Sequence, residues 1–291
     1  MDYFFQQTIN AIQLGSIYAL IALGYSLVYG VLSMINFAHG ALFMLGAFFA
    51  LLLEKTLPLP FWLLLPLTML AVASLGVLLE LVAYRPIRKA PRVSALITAL
   101  GCALFLENTT LALSPYPKHM PMLLPPISIH CCGFTLSSLQ ILVIGTSIVL
   151  MIFLDLMIRW TPFGMAMRAL SEDRLMVSLL GIPANRIISL TFALGGALGG
   201  AAGLLYAMTY PIVSSSMGIV IGWKAFVAAV LGGIGNIRGA VLGAFILGGI
   251  EVLSMILFPS TYRDLLLYSL LLLILVIKPY GLLGKPPLRV A

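Results

Sequence analysis

The chain has 291 residues, of which 62% are hydrophobic and only 9% are charged. A soluble domain carries about 25% charged residues, and no soluble core of this size would hide so much apolar surface, so a soluble fold is excluded. The net charge of +7 does not point to nucleic acid, because the basic residues sit in short segments between apolar runs, where they read as membrane topology signals.

Nine apolar runs follow one another, near residues 9–30, 36–53, 60–83, 93–113, 138–158, 188–210, 219–232, 240–258 and 264–278. Most are long enough to cross a bilayer core, which takes about 20 residues as a helix. They are continuous rather than alternating, which argues against a membrane barrel. The expected fold is all-α: a polytopic transmembrane helix bundle with eight or nine membrane segments, in one domain over residues 1–291. The seventh run is short and Gly-rich at its end, as in a broken or re-entrant segment. No Lys or Arg precedes Lys55, so the positive n-region of a cleaved secretory signal is missing.

Polar residues inside the runs are the pointers to function, because lipid makes them costly. Asn36 and His39 open the second run, Lys224 lies in the seventh, and Glu251 is near the middle of the eighth. These four are the candidate lining of a translocation path, with Lys224 and Glu251 as a candidate pair. Glu107 and Asn108 lie in the fourth run; Glu107 reads as a bundle-facing residue satisfied by a hydroxyl or a carbonyl. Glu80 and Asp155 lie near basic run ends, within reach of Arg85 and Arg159, and read as interfacial ion pairs. Nothing in the spacing joins Ser33 to His39 as nucleophile and base, and no His and acidic residues recur at metal-ligand spacing, so neither catalytic nor metal-binding residues are expected. Cys102, Cys131 and Cys132 define no disulfide framework.

Small residues recur at four-residue intervals in Gly195, Gly199 and Gly203 and again in Gly235, Gly239 and Gly243. In lipid such faces mark close helix contacts. Asn36-Phe37-Ala38-His39-Gly40-Ala41 loosely echoes Asn236-Ile237-Arg238-Gly239-Ala240, the kind of internal repeat found in transporters.

The connectors give direction. Residues 85–92, with Arg85, Arg88, Lys89 and Arg92, are strongly basic. So are residues 159–187, with Arg159, Arg168, Arg174 and Arg186, and the tail with Lys278, Lys285 and Arg289. Residues 54–59, 114–137 and 211–218 carry little net charge. With nine crossings the basic group lies inside, the N-terminus outside and the C-terminus inside. Within 159–187, Pro162 and Gly164 punctuate the start. Ser171 reads as the N-cap of a short helix with Glu172 and Asp173 in its first turn. Met176, Leu179 and Leu180 then form one apolar face, and Gly181 and Pro183 end it. Such a helix suits docking into a groove on another protein. Gly284-Lys285-Pro286 is not a phosphate loop, since its first Gly and its Ser or Thr are missing. No cofactor is therefore expected in this chain, and if transport uses ATP, another chain supplies the ATPase.

Leu14-Gly15-Ser16-Ile17-Tyr18-Ala19-Leu20, Ile35-Asn36-Phe37-Ala38-His39-Gly40, Ala83-Tyr84-Arg85-Pro86, Glu172-Asp173 with Ser178-Leu179-Leu180-Gly181-Ile182, and Lys224-Ala225-Phe226 with Ala228-Ala229-Val230-Leu231-Gly232-Gly233-Ile234-Gly235 carry a resemblance. The chain resembles the permeases of branched-chain amino acid ABC importers, in particular the shorter of the paired subunits, from about residue 6 to 284. The resemblance implies a second homologous permease, two cytoplasmic ATPase subunits that hold ATP and magnesium, and a periplasmic substrate-binding protein, all at a bacterial inner membrane. It also implies that 159–187 is the ATPase-coupling loop, with Arg168, Glu172, Asp173, Leu179, Leu180 and Gly181 in it. The broader importer motif begins Glu-Ala-Ala; here Asp173 and Arg174 follow Glu172, and Gly181 comes nine residues after it. The subfamily's own version fits better. Expected substrates are leucine, isoleucine and valine, carried by alternating access along a transient interface. Close relatives carry urea, short amides or other small organic molecules, and no residue here reads a leucine side chain. An ion-coupled carrier is disfavoured, because Asp155 and Glu251 are too few and too scattered for a coupling-ion site.

Overall fold

The computed structural model describes residues 2–284 apart from 89, 126, 132 and 133. Lys89, Cys132, Lys285, Pro286 and Arg289 from the sequence reading lie outside the described residues. Twelve helices make up nearly all of it: α1 (Asp2–Leu32), α2 (His39–Thr56), α3 (Phe61–Leu79), α4 (Arg85–Ile87), α5 (Arg92–Leu113), α6 (Ser138–Trp160), α7 (Pro162–Glu172), α8 (Arg174–Leu179), α9 (Ala184–Thr209), α10 (Met217–Gly232), α11 (Ile237–Leu257) and α12 (Arg263–Ile277). A π-helical turn, Glu80–Tyr84, joins α3 to α4. Among the described residues, seven helices are long and apolar enough to cross a membrane. The seventh and ninth expected runs are shorter, α10 with 16 residues and α12 with 15. At 1.5 Å per residue, α10 is about 24 Å long, less than a hydrocarbon core of about 30 Å. The sequence gives no sign of strands, yet two small antiparallel pairs occur in the connectors, Lys118–His119 with Ile212–Val213 and Ser128–Cys131 with Phe134–Ser137. Each ladder is too short to leave a periodic trace.

The bundle is built around α1, 89% of whose apolar window is buried by protein. A helix apolar on all sides is one that is enclosed on all sides. Lipid offers no hydrophobic gain for helix association, so backbones must approach closely, and the glycines are where they do. A Cβ on Gly46 would lie 2.6 Å from the Cα of Gly200, and one on Gly248 would lie 2.8 Å from the Cα of Gly15. At Gly203 a Cβ would collide with the Phe43 carbonyl of α2, and at Gly243 with the Ala228 carbonyl of α10. Gly195 faces Gly24 of α1, Gly199 faces His39, Gly235 faces Gly30, and Gly239 backs onto Gly232. Both small-residue series therefore lie at helix contacts.

The second helix begins inside the bundle. Ser33 takes a positive φ of 54°, which ends α1, and residues 34–38 have no helical structure before α2 starts. The His39 ring lies against Gly24, so α2 starts about 12 Å up α1 from Leu32, at 1.5 Å per residue. Irregular backbone at membrane depth is tolerated only where protein encloses it, and Asn36 and Ala38 are buried. The Asn36 and Asn236 segments are therefore not equivalent. Asn236 caps α11, its side chain accepting from the Gly239 N–H at 3.2 Å, in a tight hairpin that faces the end of α1.

Candidate functional site

Four features assemble the polar and charged residues of the bundle. The first is the α1–α2 break. The Tyr84 hydroxyl, at the end of the π-helical turn, donates to Asn36 Oδ1 at 2.8 Å. His39 is buried, packs edge-on against Tyr25 with centroids 4.9 Å apart, and has the Ile21 carbonyl beside it. Its ring nitrogens make no hydrogen bond of good geometry. Of the polar atoms that open α2, Asn36 Oδ1 is held by the neighbouring Tyr84, while Asn36 Nδ2 and the His39 nitrogens are buried without a partner among the described residues.

The second is a buried ion cluster. Lys224 of α10 and Glu251 of α11, 2% and 3% exposed, pair at 2.7 Å. The Tyr18 hydroxyl of α1 donates to the other carboxylate oxygen of Glu251, also at 2.7 Å. Lys224 reaches Asp264 of α12 at 3.2 Å, and Arg263 lies 3.6 Å from Glu251 and 3.4 Å from Asp264. Two cations and two anions cancel, so four helices are tied together without net buried charge. Sequence reasoning placed Lys224 and Glu251 side by side but missed Tyr18, Arg263 and Asp264. Tyr18 reads as one more aromatic in an apolar run, and the other two sit at a helix start where charges are unremarkable.

Asn36 and His39 do not join this cluster. They open α2 beside Tyr84 and Tyr25, whereas Lys224 and Glu251 meet each other and Tyr18 where α10 and α11 pack on α1. The four path candidates occupy two separate places in the bundle.

The third is the end of the bundle that collects the basic connectors. Arg88 donates to Asn185 at 2.7 Å and pairs with Glu80, which is fully buried and also accepts from Ser189 at 2.5 Å. Glu80 was expected to meet Arg85. The π-helical turn between them rotates Arg88 onto the buried face and leaves Arg85 exposed. Asp155 pairs with Arg159 at 3.0 Å across one helical turn. Arg168 donates to the Arg159 carbonyl at 3.4 Å, and both arginines line a cavity of about 520 Å³ with Arg238, Asn236 and Gly284.

The fourth is the α7–α8 corner at that same end. Thr161 caps α7, accepting from the Gly164 N–H at 3.1 Å, and α7 buries Ala166, Met167 and Leu170. Ser171 is not an N-cap, contrary to expectation. It lies within α7 and bonds back to the Arg168 carbonyl at 2.6 Å, because α7 runs on to Glu172. Asp173 takes the capping role, its carboxylate accepting from the Met176 N–H of α8 at 3.1 Å. Gly181, at φ 77°, closes the corner in the left-handed geometry that favours glycine. The expected apolar face is outward: Met176, Leu179 and Leu180 are 60%, 74% and 76% exposed.

A membrane bundle with a broken helix at depth, charges neutralised inside it and a short helix presented beyond it defines a transport permease. The family model described as branched-chain amino acid transport system / permease component matches residues 7–275, and the chain belongs to that family. It is 40% identical to the high-affinity branched-chain amino acid transport system permease protein BraD of Pseudomonas aeruginosa, covering 98% of this chain and 97% of the relative. It is 39% identical to LivH of Escherichia coli K12, named as a permease of the same kind, over 98% of this chain and 96% of the relative. LivM, another permease protein of that name in Escherichia coli K12, is 27% identical over 97% of this chain and 72% of its own length.

Proposed function

We propose that this chain is one of two homologous permease subunits of an ATP-driven importer of leucine, isoleucine and valine in a bacterial inner membrane. The N-terminus lies outside; the α7–α8 corner and the C-terminus lie inside, in keeping with the gathering of basic connectors at that end. Of the two ATPase subunits that drive the permease pair, one docks on this corner, and a periplasmic binding protein delivers substrate at the opposite end. The observation that carries the reading is the exposed Met176 and Leu179 of α8 with Leu180 one residue past its end. Three large apolar side chains stand outward along a corner fixed by the Asp173 cap and the Gly181 turn, as docking into a groove on another protein requires. Closure of the ATPases would push on α7 and α8, and α7 packs against α1, α6 and α9, so a rigid tilt of the corner reaches the bundle core. ATP and magnesium belong to the ATPase chains.

The test is co-purification and uptake with the full importer in proteoliposomes. Leu179→Glu with Leu180→Glu alters only exposed positions, so the permease should fold, while the ATPases no longer co-purify and ATP-driven leucine uptake is lost. Normal ATPase retention and uptake in that variant would refute the docking assignment.

A further inference from the structure

Charged groups without partners are mostly single. Glu107 of α5 makes no hydrogen bond or ion pair among the described residues, which corrects the expectation that a hydroxyl or carbonyl satisfies it. At the basic end of the bundle such groups converge. Arg159 of α6, Arg168 of α7 and Arg238 of α11 line the same cavity of about 520 Å³. Among the described residues Asp155 is the one carboxylate in its lining, and it accepts from the Arg159 Nε at 3.0 Å. The terminal nitrogens of Arg159 and the whole Arg238 guanidinium have no partner among the described residues. Arg168 donates from one nitrogen, to the Arg159 carbonyl at 3.4 Å. Three cations against one anion leave two positive charges uncompensated around the cavity. Like charges gathered in this way repel one another and draw in an anion.

Topology alone does not account for the convergence. The inside bias asks only for basic residues near span ends, as Arg85 and Arg186 supply at exposed positions outside this cavity. Three helices aiming arginines at one cavity is a further feature.

A second observation lies deeper. A narrower cavity of about 110 Å³ adjoins the first, and Gly30, Ile158, Arg168 and Gly235 line both. Ser26 of α1 lines the narrower one; it is 1% exposed and its hydroxyl has no partner. A helical serine in lipid finds the carbonyl four residues back, as Ser16 does with Ile12 at 2.8 Å. A buried hydroxyl left unpaired beside a cavity calls for a polar occupant.

The third observation is apolar. On α6, Ile148, Ile152, Asp155 and Arg159 follow at spacings of four, three and four, which sets them on one line along the helix. On α11, Arg238, Leu242 and Ile246 do the same at spacings of four. Both isoleucines of α6 and the Leu242 and Ile246 side chains are exposed. The two helices both pack on α1. Each therefore offers lipid an apolar stripe that ends, at the cavity, in an arginine.

We propose that this cavity binds the headgroup of an anionic phospholipid. The phosphate meets Arg159, Arg168 and Arg238, whose guanidinium groups suit phosphate oxygens through paired N–H bonds. The hydroxyls of a glycerol headgroup reach into the narrower cavity toward Ser26, and the acyl chains run along the two stripes. A choline headgroup brings the same phosphate but adds a cation among the arginines. A single water needs about 10–15 Å³, so the outer cavity has ample room for a phosphoglycerol group. The lipid neutralises the excess charge and ties α6 and α7 to α11 just ahead of the α7–α8 corner. Basic recesses between helices at a membrane surface are suited to such headgroups.

The test is native mass spectrometry of the purified importer in detergent, titrated with dioleoyl phosphatidylglycerol, dioleoyl phosphatidylcholine or inorganic phosphate. Wild type should retain phosphatidylglycerol at concentrations where phosphatidylcholine is lost. Arg159→Gln with Arg238→Gln should raise the half-saturating phosphatidylglycerol concentration of one bound lipid by about tenfold or more. Arg85→Gln with Arg186→Gln removes the same charge at the same end and should shift it by less than about twofold. Arg159→Lys with Arg238→Lys keeps the charge without the guanidinium fork and should give an intermediate shift, which separates a lost contact from a lost fold. Inorganic phosphate at millimolar concentration should not displace the lipid. Equal shifts in the two glutamine pairs, or no preference for phosphatidylglycerol over phosphatidylcholine, would overturn the site. Displacement by inorganic phosphate would overturn the lipid as its occupant in favour of a free anion.

Discussion

Replacing Glu251 by glutamine removes the central anion of the buried cluster and leaves Lys224, 2% exposed, inside the bundle. Removing one partner of a buried pair costs about 3–5 kcal/mol, mostly because the other charge stays buried and uncompensated. Here Lys224 retains Asp264 at 3.2 Å, and the Tyr18 hydroxyl can still donate to the amide oxygen, so the lower end, about 3 kcal/mol, is expected. For a chain of this size each kcal/mol moves the melting temperature by about 2–4 °C, so the variant should melt roughly 6–12 °C below wild type in detergent. The double variant Lys224→Leu with Glu251→Leu removes both charges and leaves Arg263 and Asp264 to pair with each other at 3.4 Å. Its main remaining penalty is the unpaired Tyr18 hydroxyl, about 1–3 kcal/mol. The double variant should therefore be no less stable than Glu251→Gln, and the cycle should show a coupling of about 2 kcal/mol or more. A Glu251→Gln protein melting within about a degree of wild type, or strictly additive single substitutions, would refute a buried pair that joins α10 to α11.

Three further outcomes are expected. Gly203→Ala drives a Cβ into the Phe43 carbonyl and should lower the melting temperature by several degrees or block folding, whereas Gly101→Ala, with nothing within 4 Å, should not destabilise. Arg88→Ala strands the fully buried Glu80 and should lower the melting temperature strongly, while Arg85→Ala, at an exposed position, should stay within about 0.5 kcal/mol of wild type by thermal unfolding. Glu172→Lys with Asp173→Lys removes the α8 cap at a cost of about 1 kcal/mol; the protein should still fold, but ATP-driven uptake should be lost, and normal uptake would remove these residues from the coupling contact.

Much of the fold was legible because hydropathy is a one-dimensional property. A run such as 138–158 is apolar whatever surrounds it, and it became α6 with only small boundary changes. Glycine spacing was legible for a related reason, since close backbone approach in lipid demands small residues and little else substitutes for them. The α7–α8 region was legible only in part. Met176, Leu179 and Leu180 emerged as an exposed face, but the choice between Ser171 and Asp173 as cap depends on where α7 stops, and either residue type can cap a helix. The full ion cluster was not legible: Tyr18 and Glu251 are 233 positions apart, and Tyr18 is not unusual until α1 and α11 are placed together.

The sequence by itself determined that this chain is a membrane helix bundle of the branched-chain amino acid permease family, because composition, run length and local motifs do not depend on how helices are arranged. Only the tertiary structure decided which charges meet. The joining of Lys224 and Glu251 to Tyr18 and Asp264, the exchange of Arg85 for Arg88 at Glu80, and the start of α2 at the depth of Gly24 depend on helix rotation, on one π-helical turn and on a break at Ser33. A shift of one residue turns a helical side chain by about 100°, so local pattern cannot fix partners across the bundle, and close packing must.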